Sequence, residues 1–168
     1  MGAKRLSTPS LYAHCVCSKY NSSGTLCDGE YCFAEKGKRV CCTPKQGEQV
    51  TAIQIDGCLL TDNHLKCDGA FIWEGKNKAA LLLVELKGAG DIPHAFKQLA
   101  YVKHQRPEYI ALKQAISTKP IIEKAFIVSN GVLSKPEKEK LENTHNIRVA
   151  AVLHSEPTKT APELRNYL

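Results

Sequence analysis

The most apolar stretch of the chain, Ala79-Ala80-Leu81-Leu82-Leu83-Val84, shows no alternation with polar residues. A short apolar run of this kind fits a strand buried on both faces, the place of a central strand in a sheet. Upstream, residues 65–73 read as a second strand, and the polar run Glu74-Gly75-Lys76-Asn77 as the turn that joins the two into a β-hairpin. Residues 46–60 carry two patterns at once: Val50, Ile53 and Gly57 have helical spacing, while Ile53 and Ile55 suit a strand. After the hairpin, Gly88-Ala89-Gly90 breaks the strand, Asp91 is placed to cap a helix, and Pro93 falls in its first turn. That helix is expected to run to His104, burying Ile92, Phe96, Leu99 and Ala100, with Val102 at the edge of the stripe. A second helical piece covers 108–116, a strand 124–129, and Asn130-Gly131 makes a turn. Ser134-Lys135-Pro136-Glu137 then opens a short helix with Ser134 as its cap, and 147–153 is the last strand.

This order predicts an α/β fold: a mixed central β-sheet flanked by helices. It spans 46–154. Before it, residues 1–45 form a Cys-rich, loop-rich element with turn signals at Asn21-Ser22-Ser23-Gly24 and Cys27-Asp28-Gly29. After it, the tail 155–168 contains Pro157 and Pro162 and reads as a surface arm.

Composition narrows the class. The chain has 168 residues, 43% hydrophobic and 24% charged, which suits a globular domain and argues against disorder. The net charge is +6, with basic patches at Lys36, Lys38 and Arg39 and at Lys97, Lys103, His104 and Arg106. A basic surface attracts phosphate backbones, although it also serves solubility. Lys4 and Arg5 are followed by no long apolar segment, and the run 79–84 is too short to span a bilayer. These features predict a soluble, cytoplasmic protein without a membrane partner.

Eight cysteines lie at positions 15, 17, 27, 32, 41, 42, 58 and 67. In a cytoplasmic setting a disulfide framework is the less favoured explanation. Cys15, Cys17, Cys27, Cys32, Cys41 and Cys42 form three close pairs that could hold a structural Zn²⁺ or an iron–sulfur cluster. Small buried hydrophobes explain them equally well. Cys58 and Cys67 read as core residues, and His14 as a further ligand beside Cys15 or a surface residue.

Chemistry concentrates at Glu85-Leu86-Lys87, the end of the most apolar strand. Residues two apart in a strand share a face, so Glu85 and Lys87 point together. Pairing across a turn near Lys76 and Asn77 sets Asp68 level with Glu85. Two carboxylates on adjacent strands suit a hard cation such as Mg²⁺ or Mn²⁺, with the Leu86 carbonyl as a further ligand. A surface salt bridge between the same residues is the plainer alternative, and the second such triplet, Glu74-Gly75-Lys76, reads as a solvated turn.

Cys67-Asp68, Glu85-Leu86-Lys87 and a following helix bearing Gln98 and Tyr101 resemble the PD-(D/E)XK nuclease superfamily. The resemblance covers 46–154. It implies a restriction-endonuclease-like fold and Mg²⁺-dependent hydrolysis of phosphodiester bonds, with Asp68, Glu85 and Lys87 as catalytic core. Gln98 and Tyr101 resemble the Gln–Tyr pair of some members at a spacing one residue shorter, and Cys67 stands where a Pro is usual. Members that add a Glu from a first helix make Glu48 a candidate metal ligand. The expected partner is DNA, with RNA open, and a homodimer would let two sites cut two strands. The competing expectations are a non-enzymatic zinc-containing nucleic-acid-binding module and a structural subunit with a nuclease fold.

Overall fold

The computed structural model describes residues 12–19, 25–116 and 120–168. The basic N-terminal residues Lys4 and Arg5 and the turn signal at 21–24 lie outside them. The described chain forms β1 (Cys32–Glu35), β2 (Lys38–Cys41), β3 (Gln49–Gln54), β4 (Gly69–Glu74), β5 (Ala79–Lys87), α1 (Ile92–Gln105), α2 (Pro107–Ala115), β6 (Ile121–Ser129), α3 (Lys135–His145) and β7 (Ala151–His154).

Strands β3 to β7 form one five-stranded sheet in sequence order. The first three strands are antiparallel, and β5, β6 and β7 are parallel to one another. The sheet is therefore mixed, as the order of elements predicted, and β5 lies at its centre. Eight of the nine β5 residues are buried, which is what an apolar run without alternation requires.

Period-two alternation sorts the core into two layers. Leu81 and Leu83 join Ile72 and Ile127 beneath Phe96 and Leu99 of α1 and Leu112 of α2. Leu82, Val84 and Leu86 join Phe71, Trp73, Phe126 and Val128 on the other face. All three helices serve the first layer; the second is covered by the β1–β2 hairpin, through Phe33 and Val40, and by Leu164 of the tail. Phe33 stacks on Phe71 at 4.4 Å between ring centroids. It also lies over Gly69, where a Cβ would come within 2.6 Å of the Phe33 ring, so only glycine fits.

Several expectations shift. Residues 49–54 take the strand alternative, because pairing with β4 buries Ala52 and Ile53. Strand β4 begins at Gly69 rather than 65. The preceding loop is held by side chains instead: Arg106 bonds Asp62 through both carboxylate oxygens at 3.0 and 2.6 Å, and Gln98 donates to the Lys66 carbonyl at 3.0 Å. The last strand is shorter than 147–153, since the Val149 N–H bonds the Glu142 carboxylate. Ser134 and Glu137 form the reciprocal cap expected for α3, whereas Asp91 occupies the α1 cap position without a side-chain bond. The tail is not a free arm: Leu164 is fully buried, Ser155 bonds Arg39, and Arg165 pairs with Glu48.

The N-terminal element is cross-linked by disulfides Cys15–Cys58, Cys17–Cys27 and Cys32–Cys41. The six-cysteine metal set is thereby corrected. Cys15, Cys17, Cys27, Cys32 and Cys41 are consumed in S–S bonds and Cys42 is a buried free thiol, so no shared thiolate cage for zinc or iron–sulfur remains. Cys58, expected in the core, is a cross-link; Cys67 is buried as expected. Disulfides are rare in reducing cytoplasm, so these bonds run against the compartment inferred from sequence. No helix of the described residues is long and apolar enough to cross a membrane.

Candidate active site

The β4–β5 register pairs Gly69 with Val84, which sets Asp68 beside Glu85 at the open end of the hairpin. The two residues interlock. The Asp68 N–H donates to Glu85 Oε2 at 2.9 Å, and the Leu86 N–H donates to Asp68 Oδ2 at 2.8 Å. Lys87 shares the Glu85 face, and its Nζ lies 3.3 Å from Glu85 Oε1. Thus the three residues singled out at Asp68, Glu85 and Lys87 are brought together by strand pairing alone.

Burial makes this arrangement costly when charged. Glu85 is 2% exposed, while the Lys87 side chain keeps 20% of its surface open. Burial pushes the Glu85 carboxyl well above the usual carboxylate range; Asp68 adds to the shift, and Lys87 opposes it. Asp68 is raised to about 6, chiefly by burial and then by Glu35 and Asp56, against the Leu86 N–H and Lys87. One lysine thus faces two desolvated carboxylates.

Asp68 opens on a cavity of about 380 Å³ that is also lined by Glu35, Gln54 and Asp56. Glu35 comes from the β1–β2 hairpin and Asp56 from the loop after β3, whose Ile55 and Asp56 N–H groups bond the Asp68 carbonyl at 2.9 and 3.2 Å. Neither acid stood out in the sequence. The Asp56-Gly57 pair, with Gly57 at φ +80°, carries a turn signal, but nothing local shows that the turn packs behind Asp68.

Gln98 is half-buried on α1 and acts one step away. Its Nε2 holds the Lys66 carbonyl, two residues before Asp68, while its Oε1 is buried without a partner among the described residues. Tyr101 stacks on His64 of the same loop, 6.3 Å between ring centroids, and so braces it.

Glu48 does not join the site. It lies at the far end of β3, where Gln49 pairs with Glu74, whereas Gln54 pairs with Gly69 beside Asp68. Six strand residues separate the two ends, roughly 20 Å. The expected first helix is a strand, and Glu48 is held by Arg165 Nε at 2.8 Å and Trp73 Nε1 at 2.9 Å. Arg165 pulls its carboxyl down to about 2, the mark of a structural ion pair.

The basic patches are partly spent on structure. Arg106 is buried against Asp62, Arg39 bonds Asp28 at 2.6 Å, and Lys38 is buried with its ammonium on the Lys36 carbonyl. Lys36 and Lys97 remain exposed.

The donors at Asp68 and Glu85 fit a hard divalent cation. Both are oxygen ligands, both are crowded with like charge, and both sit in surroundings that disfavour a bare carboxylate. In a strand the N–H and C=O of one residue face the same edge, so the Leu86 carbonyl shares the edge of its N–H, which bonds Asp68. Among the described residues, Asp68 and Glu85 have no third His, Cys or acidic partner in a close set; the one set of three such residues with ligand atoms within 4.8 Å of one another is His14, Cys15 and Cys58. No protein-family profile, no curated protein and no solved structure matches the chain.

Proposed function

We propose that this protein is a Mg²⁺- or Mn²⁺-dependent nuclease that hydrolyses DNA phosphodiester bonds, built on a restriction-endonuclease-like core of the PD-(D/E)XK type. The observation that carries this reading is the contact set joining Asp68, Glu85 and Lys87 at the open end of a buried hairpin. A surface salt bridge would leave its carboxylate in water; Glu85 is instead almost fully buried beside a second acid. Such an arrangement is costly unless a cation offsets it.

Asp68, Glu85 and the Leu86 carbonyl would hold the ion. Bound there, it supplies charge for a scissile phosphate and lowers the pKa of attached water. Lys87 keeps its ammonium beside Glu85 with part of its side chain open to solvent, and would orient the attacking water and offset developing negative charge. Gln98 positions the loop that delivers Asp68. The chain's net charge of +6 draws the phosphate backbone to this surface. A cytoplasmic setting suits that substrate, provided that the N-terminal element stays attached where disulfides are reduced.

The test is cleavage of labelled single-stranded, double-stranded and branched DNA, with RNA in parallel, in Mg²⁺ or Mn²⁺ and in chelator. Cation-dependent cutting that disappears in Glu85→Ala and Lys87→Ala supports the reading. A folded wild type that cuts none of these substrates rejects it and leaves a binding or structural role.

A further inference from the structure

The N-terminal element is joined to the core through a residue outside the Asp68, Glu85 and Lys87 set. Cys15, at the end of the 3-10 turn Ala13–Cys15, is bonded to Cys58 in the loop after β3. His14 precedes it on the same turn and is exposed. One ligand nitrogen of His14 and the two sulfurs all lie within 4.8 Å of one another. The other two disulfides have no such third ligand among the described residues.

We propose that His14, Cys15 and Cys58 form a redox-exchangeable zinc site: a disulfide under oxidising conditions, and a holder of one Zn²⁺ when reduced. The exchange balances simply. A dithiol or phosphine reductant delivers two electrons, two protons from solvent complete the Cys15 and Cys58 thiols, and Zn²⁺ displaces those protons on binding. Zinc takes thiolate at about 2.3 Å and imidazole at about 2.0–2.1 Å, so tetrahedral ligand atoms sit roughly 3.5–3.8 Å apart. The Cys15 and Cys58 Cα atoms are 5.7 Å apart, which lets the sulfurs open to that distance by side-chain rotation. Three protein ligands leave the fourth position to water, and the exposed side of His14 admits it.

The site would act as a clamp. Cys58 follows the Ile55 and Asp56 N–H groups that bond the Asp68 carbonyl, and its own N–H bonds the Ile55 carbonyl at 3.3 Å. Either link, sulfur or metal, ties this loop to the N-terminal element. This attachment of the loop to the N-terminal element then persists in oxidising and reducing conditions alike.

The experiment uses the full chain reduced with a phosphine under argon and titrated with Co²⁺, then with Zn²⁺. Thiolate-to-metal absorption in the near ultraviolet is expected to saturate at one Co²⁺ per chain at this site and to be abolished by Zn²⁺; the oxidised protein, whose carboxylates offer a divalent ion no thiolate, shows no such absorption. His14→Ala leaves all three disulfides intact, so its fold is secured in the oxidised form; after reduction it should weaken Zn²⁺ binding at least about tenfold. Cys58→Ser should abolish the thiolate-to-metal absorption, and the Cys32→Ser/Cys41→Ser double variant should leave it unchanged. Reduced protein that shows no thiolate-to-Co²⁺ absorption, or an absorption indifferent to both His14→Ala and Cys58→Ser, overturns the proposal. None of these readouts depends on cleavage, so the nuclease reading stands or falls separately.

Discussion

Asp68 departs from the ordinary behaviour of its type at the centre of the candidate site. Its carboxyl titrates near 6 in the folded chain against an ordinary value of 3.8, so between those values the metal-free folded state holds the proton more tightly than the unfolded chain does. The stability tied to that proton is present below pH 3.8 and lost as pH rises through about 6. At neutral pH the charged residue costs on the order of 2–3 kcal/mol. Asp68→Asn keeps an acceptor for the Leu86 N–H and removes the charge. In chelator at pH 7 it should therefore raise the thermal midpoint by about 5 °C, and the gain should vanish at pH 4. A lower midpoint at pH 7 would refute this account of the site, as measured by calorimetry at both pH values. Gln98 makes a complementary case. Gln98→Ala frees the Lys66 carbonyl and the loop leading to Asp68, and kcat for DNA cleavage should fall by roughly 10- to 100-fold with the fold retained. Asp68, Glu85 and Lys87 were legible because strand alternation and hairpin register are local rules. Glu35 and Asp56 were not, since only tertiary packing brings them to the same cavity. Glu48 was misplaced because its segment carries both helical and strand spacing, and its true partner, Arg165, lies 117 residues away.

Among the elements, the sheet and its helices follow closely from pattern, and the N-terminal element does not. The stripe Ile92, Phe96, Leu99, Ala100 and Val102 is buried as its spacing predicts, with Ala95 added. Helix α3 carries the cap its sequence announces. The β1–β2 hairpin, by contrast, is fixed by Cys32–Cys41 and by Phe33 lying on Gly69, and cysteine spacing cannot reveal either contact. Gly69→Ala should push Phe33 and its hairpin off β4 and lower stability by about 1–3 kcal/mol, read from denaturant midpoints. The cross-links should rank by the chain they enclose. Cys15–Cys58 spans 43 residues and Cys17–Cys27 spans 10, so chain entropy assigns them about 4 and about 2.7 kcal/mol. In oxidised protein, Cys15→Ser should therefore cost more than Cys17→Ser, and the reverse order would point to native-state strain or residual structure in the unfolded chain.

At the scale of the molecule, one sheet separates two kinds of cover. Helices close one face, and the cross-linked hairpin with the returning tail closes the other. The catalytic candidates sit where β4 and β5 run out at one end of the sheet, and the Glu48–Arg165–Trp73 cluster anchors the tail at the other. The tail's return was illegible in sequence because its two prolines suggest an arm, whereas the single buried Leu164 and the Arg165 ion pair decide its position. This division gives the nuclease account an internal control. Divalent-cation-dependent cleavage of labelled DNA should be measured for the wild type, Glu85→Ala, Lys87→Ala and Glu48→Gln. Loss of at least about 100-fold in the first two variants, with Glu48→Gln close to wild type, is the expected result. Cleavage that survives Lys87→Ala and Glu85→Ala, or that depends on Glu48 as strongly as on them, would contradict it.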